Sequence, residues 1–132
     1  VMNDGYFYRL YYSDEDCTSK GLFLEFELKQ VAIEKYFNKL KCGFNTSYNA
    51  NIIGFIKSIE KAIIDIMPDK QGKYPTFRIE EQLQNGFIKI FHNNTSVSPT
   101  KHNSKKLLLK ISGIWSSAKE YGVTFRFFFI RP

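Results

Sequence analysis

The stretch ANIIGFIKSIEKAIIDIM, Ala50 to Met67, decides how this chain folds. Ile52, Ile56, Ile59, Ile63 and Ile66 recur at three- and four-residue spacing, so a helix gathers them into one apolar stripe. Asn49 or Asn51 can cap its start. Pro68 stops it, because proline disfavours the helical conformation in the residue before it. On both sides of this helix the periodicity changes to that of strands.

Upstream, Tyr6 to Tyr12 is an aromatic run that reads as a strand, and Ser13-Asp14-Glu15-Asp16 breaks it. Leu22, Leu24, Phe26 and Leu28 then alternate with Phe23, Glu25 and Glu27, which predicts a strand with one buried face. Val31 to Phe44 fits two patterns. Ile33, Phe37 and Leu40 would share a helix face, while Leu40, Cys42 and Phe44 alternate as in a strand. We read it as strand, turn near Asn38-Lys39, and strand. That choice decides whether Tyr36, Lys39 and Lys41 reach one face.

Downstream, Asp69 to Pro75 is a loop. Phe77, Ile79 and Leu83 lead into Asn85-Gly86, a type I′ hairpin signal, with Phe87 to His92 as the return strand. Asn93 to Ser104 is polar, holds Pro99 and is expected to be a mobile loop. Lys106 to Trp115 and Val123 to Ile130 predict a final hairpin around Ser116 to Gly122. No repeat or internal boundary interrupts this order, so residues 1–132 are expected to form a single domain. The predicted class is mainly β (α+β): an antiparallel OB-like barrel or twisted sheet with one capping helix at about residues 50–67. In the OB-fold that helix would follow the third strand.

Composition narrows the function. The chain has 132 residues, 43% of them hydrophobic and 24% charged, enough to build one core. Its longest apolar runs, such as Phe127 to Ile130, fall far short of the ~20 residues a membrane-spanning helix needs. The polar start Val1-Met2-Asn3-Asp4-Gly5 shows no signal peptide. Two cysteines, Cys17 and Cys42, suit a reducing compartment without excluding one disulfide. The expected setting is intracellular, at nuclear or cytoplasmic replication sites, and not secreted; the formal glycosylation acceptors at Asn45, Asn93 and Asn94 are discounted accordingly.

The net charge of +6 favours acidic partners, and aromatic residues reach 17%. Residues 1–67 carry 8 Lys and Arg against 9 Asp and Glu, whereas residues 68–132 carry 11 against 4. The basic character belongs to the second half. There, Phe77/Ile79, Ile88/Ile90, Leu109/Ile111 and Phe125/Phe127 are the better apolar faces. Strand alternation then turns Arg78, Lys89, Lys110 and Arg126 outward. Phe87, Phe91 and Phe128 share that outward parity. Lys101, Lys105 and Lys106 are expected to clamp from the loop, and Tyr36, Trp115 and Tyr121 to offer rings for base stacking.

Cations interleaved with rings suit a single-stranded nucleic acid: the cations neutralise phosphates and the rings stack on unpaired bases. The expected partner is therefore single-stranded nucleic acid, DNA favoured over RNA, with no membrane. The alternative is a protein-interaction or assembly module that docks another chain or self-associates through its last strand. A third reading is a metal-dependent nuclease. Asp14 or Asp16 followed by Glu27-Leu28-Lys29 resembles the Asp…Glu-x-Lys pattern of restriction-type nucleases, in which carboxylates hold a divalent metal. That pattern is short and common by chance. His92 and His102 have no ligands at metal-binding spacing, and no glycine run cradles phosphate. No catalytic residue, metal site or cofactor is assigned, and the chain is expected not to be an enzyme.

Leu108-Leu109-Lys110-Ile111-Ser112-Gly113-Ile114-Trp115, closed by Tyr121-Gly122-Val123-Thr124-Phe125-Arg126-Phe127, resembles a terminal hairpin of viral single-stranded DNA-binding proteins. These are OB-fold proteins of large DNA viruses and related mobile elements. Ile33-Glu34-Lys35-Tyr36-Phe37-Asn38-Lys39 is similar too, and the likeness covers about a quarter of the chain. It implies non-catalytic coating of single strands in replication or recombination. Phage-type members end in an acidic tail, whereas this chain stops at Phe129-Ile130-Arg131-Pro132. The expectation is that the chain is cut short at its C-terminus or lacks the tail's role.

Overall fold

The computed structural model describes residues 6–9, 11–13, 18–37, 39–67, 70, 72–90 and 100–130, with the backbone alone for those up to residue 20 and for Tyr36. In chain order the strands are β1 (Tyr6–Arg9), β2 (Tyr11–Ser13), β3 (Thr18–Lys20), β4 (Leu22–Tyr36) and β5 (Lys39–Phe44). Helix α1 (Ala50–Asp65), β6 (Tyr74–Pro75) and α2 (Arg78–Asn85) follow, then β7 (Phe87–Ile90), β8 (Thr100–Ser116) and β9 (Glu120–Phe129).

β4 pairs with β5, β5 with β7, β7 with β9, β9 with β8, and β8 again with β4, so these five strands close into a barrel. Every pairing in the ring is antiparallel except β7–β9, which is parallel with Ile90 opposite Phe127. β1 continues along β8 where β4 leaves off, β6 lies parallel to the start of β9, and β2 and β3 pair separately. This is the OB-like, mainly β barrel that the alternation of apolar residues predicts. Among the described residues, no helix is long and apolar enough to cross a membrane.

The interior is filled from every barrel strand: Phe26, Leu28, Val31 and Ile33 from β4, Leu40 and Cys42 from β5, Ile88 and Ile90 from β7, Leu107, Leu109 and Ile111 from β8, and Phe127 from β9. Along β4 the buried parity changes between Leu28 and Val31, at Gln30, whose φ is 55°. There Asn49 takes the place of a neighbouring strand. Its Oδ1 accepts the Lys29 N–H at 2.8 Å, and its Nδ2 donates to the Lys29 and Asn45 carbonyls at 3.0 and 2.8 Å. Asn49 stands at the N-cap of α1 but makes no side-chain cap bond, because its amide is spent on β4.

Five expectations are corrected. α1 ends at Asp65, and its buried residues are Ile53, Ile56, Glu60, Ile63 and Ile64; Ile66 is 63% exposed. Arg78 to Asn85 is a second helix and not a hairpin strand, with Ile79 and Leu83 buried one turn apart. Gly86, at φ 83°, is the left-handed residue that ends this helix, so Asn85-Gly86 is a helix stop. Both described helices fall between the second and third barrel strands, β5 and β7, whereas the expected place for the capping helix is after the third. Thr100 to Ser104, read as loop, belongs to β8.

Helix α2 is anchored from α1. The fully buried Glu60 carboxylate accepts the Ile79 and Glu80 N–H groups, each at 2.9 Å, and so caps the N-terminus of α2 from outside. At the β8–β9 turn, Gly122 meets close neighbours: a Cβ there would lie 2.6 Å from Thr76 Oγ1, 3.0 Å from the Thr76 carbonyl and 3.1 Å from Trp115 Cζ2. Gly122→Ala is expected to lower the unfolding free energy by about 1–3 kcal/mol, read by urea denaturation. An unchanged midpoint would mean that the turn relaxes freely.

Candidate nucleic-acid interface

The barrel's register assembles the outward-facing cations. Lys41 on β5 lies directly opposite Lys89 on β7. The parallel pairing of Ile90 with Phe127 brings Lys89 beside Arg126 on β9, and Arg126 lies opposite Lys110 on β8. Lys41, Lys89, Arg126 and Lys110 therefore form a row across four consecutive strands. At about 4.8 Å between strands, the row spans roughly 15 Å.

Like charges opposed across a sheet destabilise it. Part of that cost is met locally. Lys41 Nζ is 3.8 Å from Glu34 and stands 4.3 Å above the Phe87 ring, and Lys110 Nζ lies 5.8 Å from the Phe23 ring. The Glu34 side chain is largely exposed, so that ion pair contributes little.

Beside the row is a depression of about 260 Å³ lined by Lys39, Gln82, Lys89, Phe125, Arg126 and Phe127. Gln82 is held there by the Lys89 N–H, which donates to its Oε1 at 3.3 Å. Two aromatic rings border the row, and a third aromatic residue lies in the β4–β5 turn. Phe87 is half-buried, Phe23 is 54% exposed, and Phe37, in the β4–β5 turn, is 80% exposed. Phe37 has φ 53°, a conformation uncommon for a bulky residue, and burial does not explain an aromatic there.

The other expected site residues fall in several places. Tyr36 closes β4 opposite Lys39, with its side chain outside the described residues. Lys101, Lys105 and Lys106 are strand residues of β8 and not a loop clamp, since the strand begins at Thr100. Lys101 is exposed opposite Ala32. Lys106 is exposed opposite Glu27, and Lys105 is half-buried with Nζ 5.3 Å from the Phe129 ring. Arg78 starts α2, and its guanidinium stacks 4.8 Å from the Trp115 ring. That pair sits about 16 Å along β8 from Lys110 and stands apart from the row. Trp115 is half-buried. Tyr121, at 4% exposure, is a core residue with no ring face left for stacking, and its carbonyl accepts the Thr76 N–H at 2.8 Å.

Phe23 has no signal in the sequence that marks it as a site residue, since it looks like any outward strand residue.

Of the nuclease pattern, Glu27 faces Lys106 across the sheet and Asp14 and Asp16 lie outside the described residues. Among the described residues, no group of three His, Cys, Asp or Glu side chains could hold a metal. His102 Nε2 is 3.0 Å from Thr100 Oγ1, and His92 lies outside the described set. The Cys42 thiol is pushed up to about 12 by burial, with Lys105 pulling the other way, so it stays protonated and serves as apolar filling. No family model, curated protein or solved structure matches this chain.

Proposed function

We propose that this domain binds single-stranded nucleic acid, DNA before RNA, as a non-catalytic coat in replication or recombination. The observation that carries the reading is the row Lys41–Lys89–Arg126–Lys110, four cations held side by side by strand register. A strand whose phosphates lie along the row would meet four cations at once. Phe87 and Phe23 lie beside Lys41 and Lys110 of the row, which favours unpaired bases over duplex. OB-type barrels take oligonucleotides on the face of their second and third strands. Here those are β5 and β7, bearing Lys39, Lys41, Phe87 and Lys89. The resemblance of the terminal hairpin to viral single-stranded DNA-binding proteins supports the same reading and an intracellular replication setting.

The test is a fluorescence-anisotropy titration of a ~30-nucleotide oligo(dT) at several salt concentrations, against a matched duplex. Single-strand binding should weaken linearly in log salt and exceed duplex binding. Lys89→Gln with Arg126→Gln should shallow the slope by about 1.4, the share of two phosphate contacts on a single strand. An unchanged slope removes the row from the interface, and absence of binding at low salt removes the function.

A further inference from the structure

The depression beside the row differs from the rest of the cationic face. Along the row, Lys41 and Lys110 each stand over a ring, a pairing suited to a backbone phosphodiester and its neighbouring base. Three cationic residues, Lys39, Lys89 and Arg126, line one concavity together with Gln82. Because the Gln82 oxygen already accepts the Lys89 N–H, its NH₂ remains as a donor. The concavity thus gathers positive charge and donors and offers no carboxylate of its own lining.

An internal phosphodiester carries a single charge. A phosphomonoester carries about −1.5 to −2 at pH 7 and three acceptor oxygens. We infer that this depression binds a terminal phosphomonoester, the phosphorylated end of a single strand. Lys39, Lys89 and Arg126 meet its charge and Gln82 donates to one of its oxygens. The volume of about 260 Å³ is several times the roughly 30 Å³ share of a water molecule, so it also admits part of the terminal nucleoside against the Phe125 ring.

This inference rests on the single-strand reading above and is separable from it. Octamers of thymidylate with hydroxyl ends, a 5′-phosphate or a 3′-phosphate would be titrated calorimetrically into the full chain. One phosphorylated octamer should bind about tenfold tighter than the hydroxyl-ended one, and which of the two does so identifies the end recognised. The gain should shrink at pH 5, below the second ionisation of the monoester near pH 6. Lys39→Gln and Arg126→Gln, checked for folding by circular dichroism, should each erase most of the difference between the octamers. Equal affinities for all three octamers, with binding intact, overturn the inference and leave the single-strand reading standing. A gain that survives both substitutions overturns the location, and no binding of any octamer overturns both proposals.

Discussion

Phe127→Ala is expected to lower the unfolding free energy by about 3–5 kcal/mol, the largest loss for any single residue of this barrel. Phe127 is 1% exposed and lies at the convergence of three strands, opposite Leu109 of β8 and Ile90 of β7. Its ring meets those of Phe26 and Phe125 edge-on, with centroids 6.0 and 5.7 Å apart. Each such pairing adds about 0.5–1.5 kcal/mol beyond area burial. Truncation removes both and leaves a void that β7, β8 and β9 cannot all move to fill. Phe127→Leu keeps most of the volume and should cost less than half as much. Urea denaturation followed by circular dichroism reads both. A loss below about 1 kcal/mol for Phe127→Ala would mean that the ring does not hold β7 to β9.

The second large effect is expected at Glu60. Glu60→Ala strands the Ile79 and Glu80 N–H groups in a buried setting, each worth about 1–3 kcal/mol when left without an acceptor. Relief of carboxylate burial offsets part of that, so a net loss of about 2–4 kcal/mol is expected. α2 should lose helicity first, because its short length gives it little stability of its own.

Glu60 also confers a pH dependence. Burial raises its pKa above the usual 4.5, outweighing the two backbone N–H bonds that favour the charged form; the Glu80 charge adds to the rise. A raised folded-state pKa means that the folded chain binds this proton more tightly than the unfolded chain. The stability from that proton is fully present below about pH 4.5 and is lost as pH rises through the higher folded value. Glu60→Gln does not titrate, so the stability of wild type relative to this variant should fall with rising pH across that window. A relative stability that rises instead would reverse the sign of the shift.

Much of the barrel is legible in the sequence because its signal is local. Ile88/Ile90, Leu109/Ile111 and Leu40/Cys42 alternate with polar residues within one strand, and each pair is buried. Arg78 to Asn85 is different. Phe77, Ile79 and Leu83 over so short a span fit a strand as well as a helix. What selects the helix is Glu60, eighteen positions or more away in sequence and invisible to any local pattern. Asn85-Gly86 is ambiguous for a physical reason: a type I′ turn and a helix stop both need a left-handed glycine.

The candidate site divides in the same way. Strand parity turned Lys89, Lys110 and Arg126 outward, as the structure has them. That they stand side by side depends on the parallel β7–β9 contact, which only the closed barrel reveals. Tyr121 is buried in the core, where the sequence reading has an exposed ring, and its strand neighbour β6 is two residues long and forty-odd positions upstream.

The short parallel contact between β7 and β9 has one more consequence. It is the barrel's seam, aligned among the described residues through the pair Ile90–Phe127, and the row of cations crosses it with Lys89 on one bank and Arg126 on the other. An anion that bridges them is held only while the joint is shut, so its binding energy becomes resistance to unfolding and grows with its concentration over Kd. The same pair of side chains therefore rivets the loaded barrel at its seam.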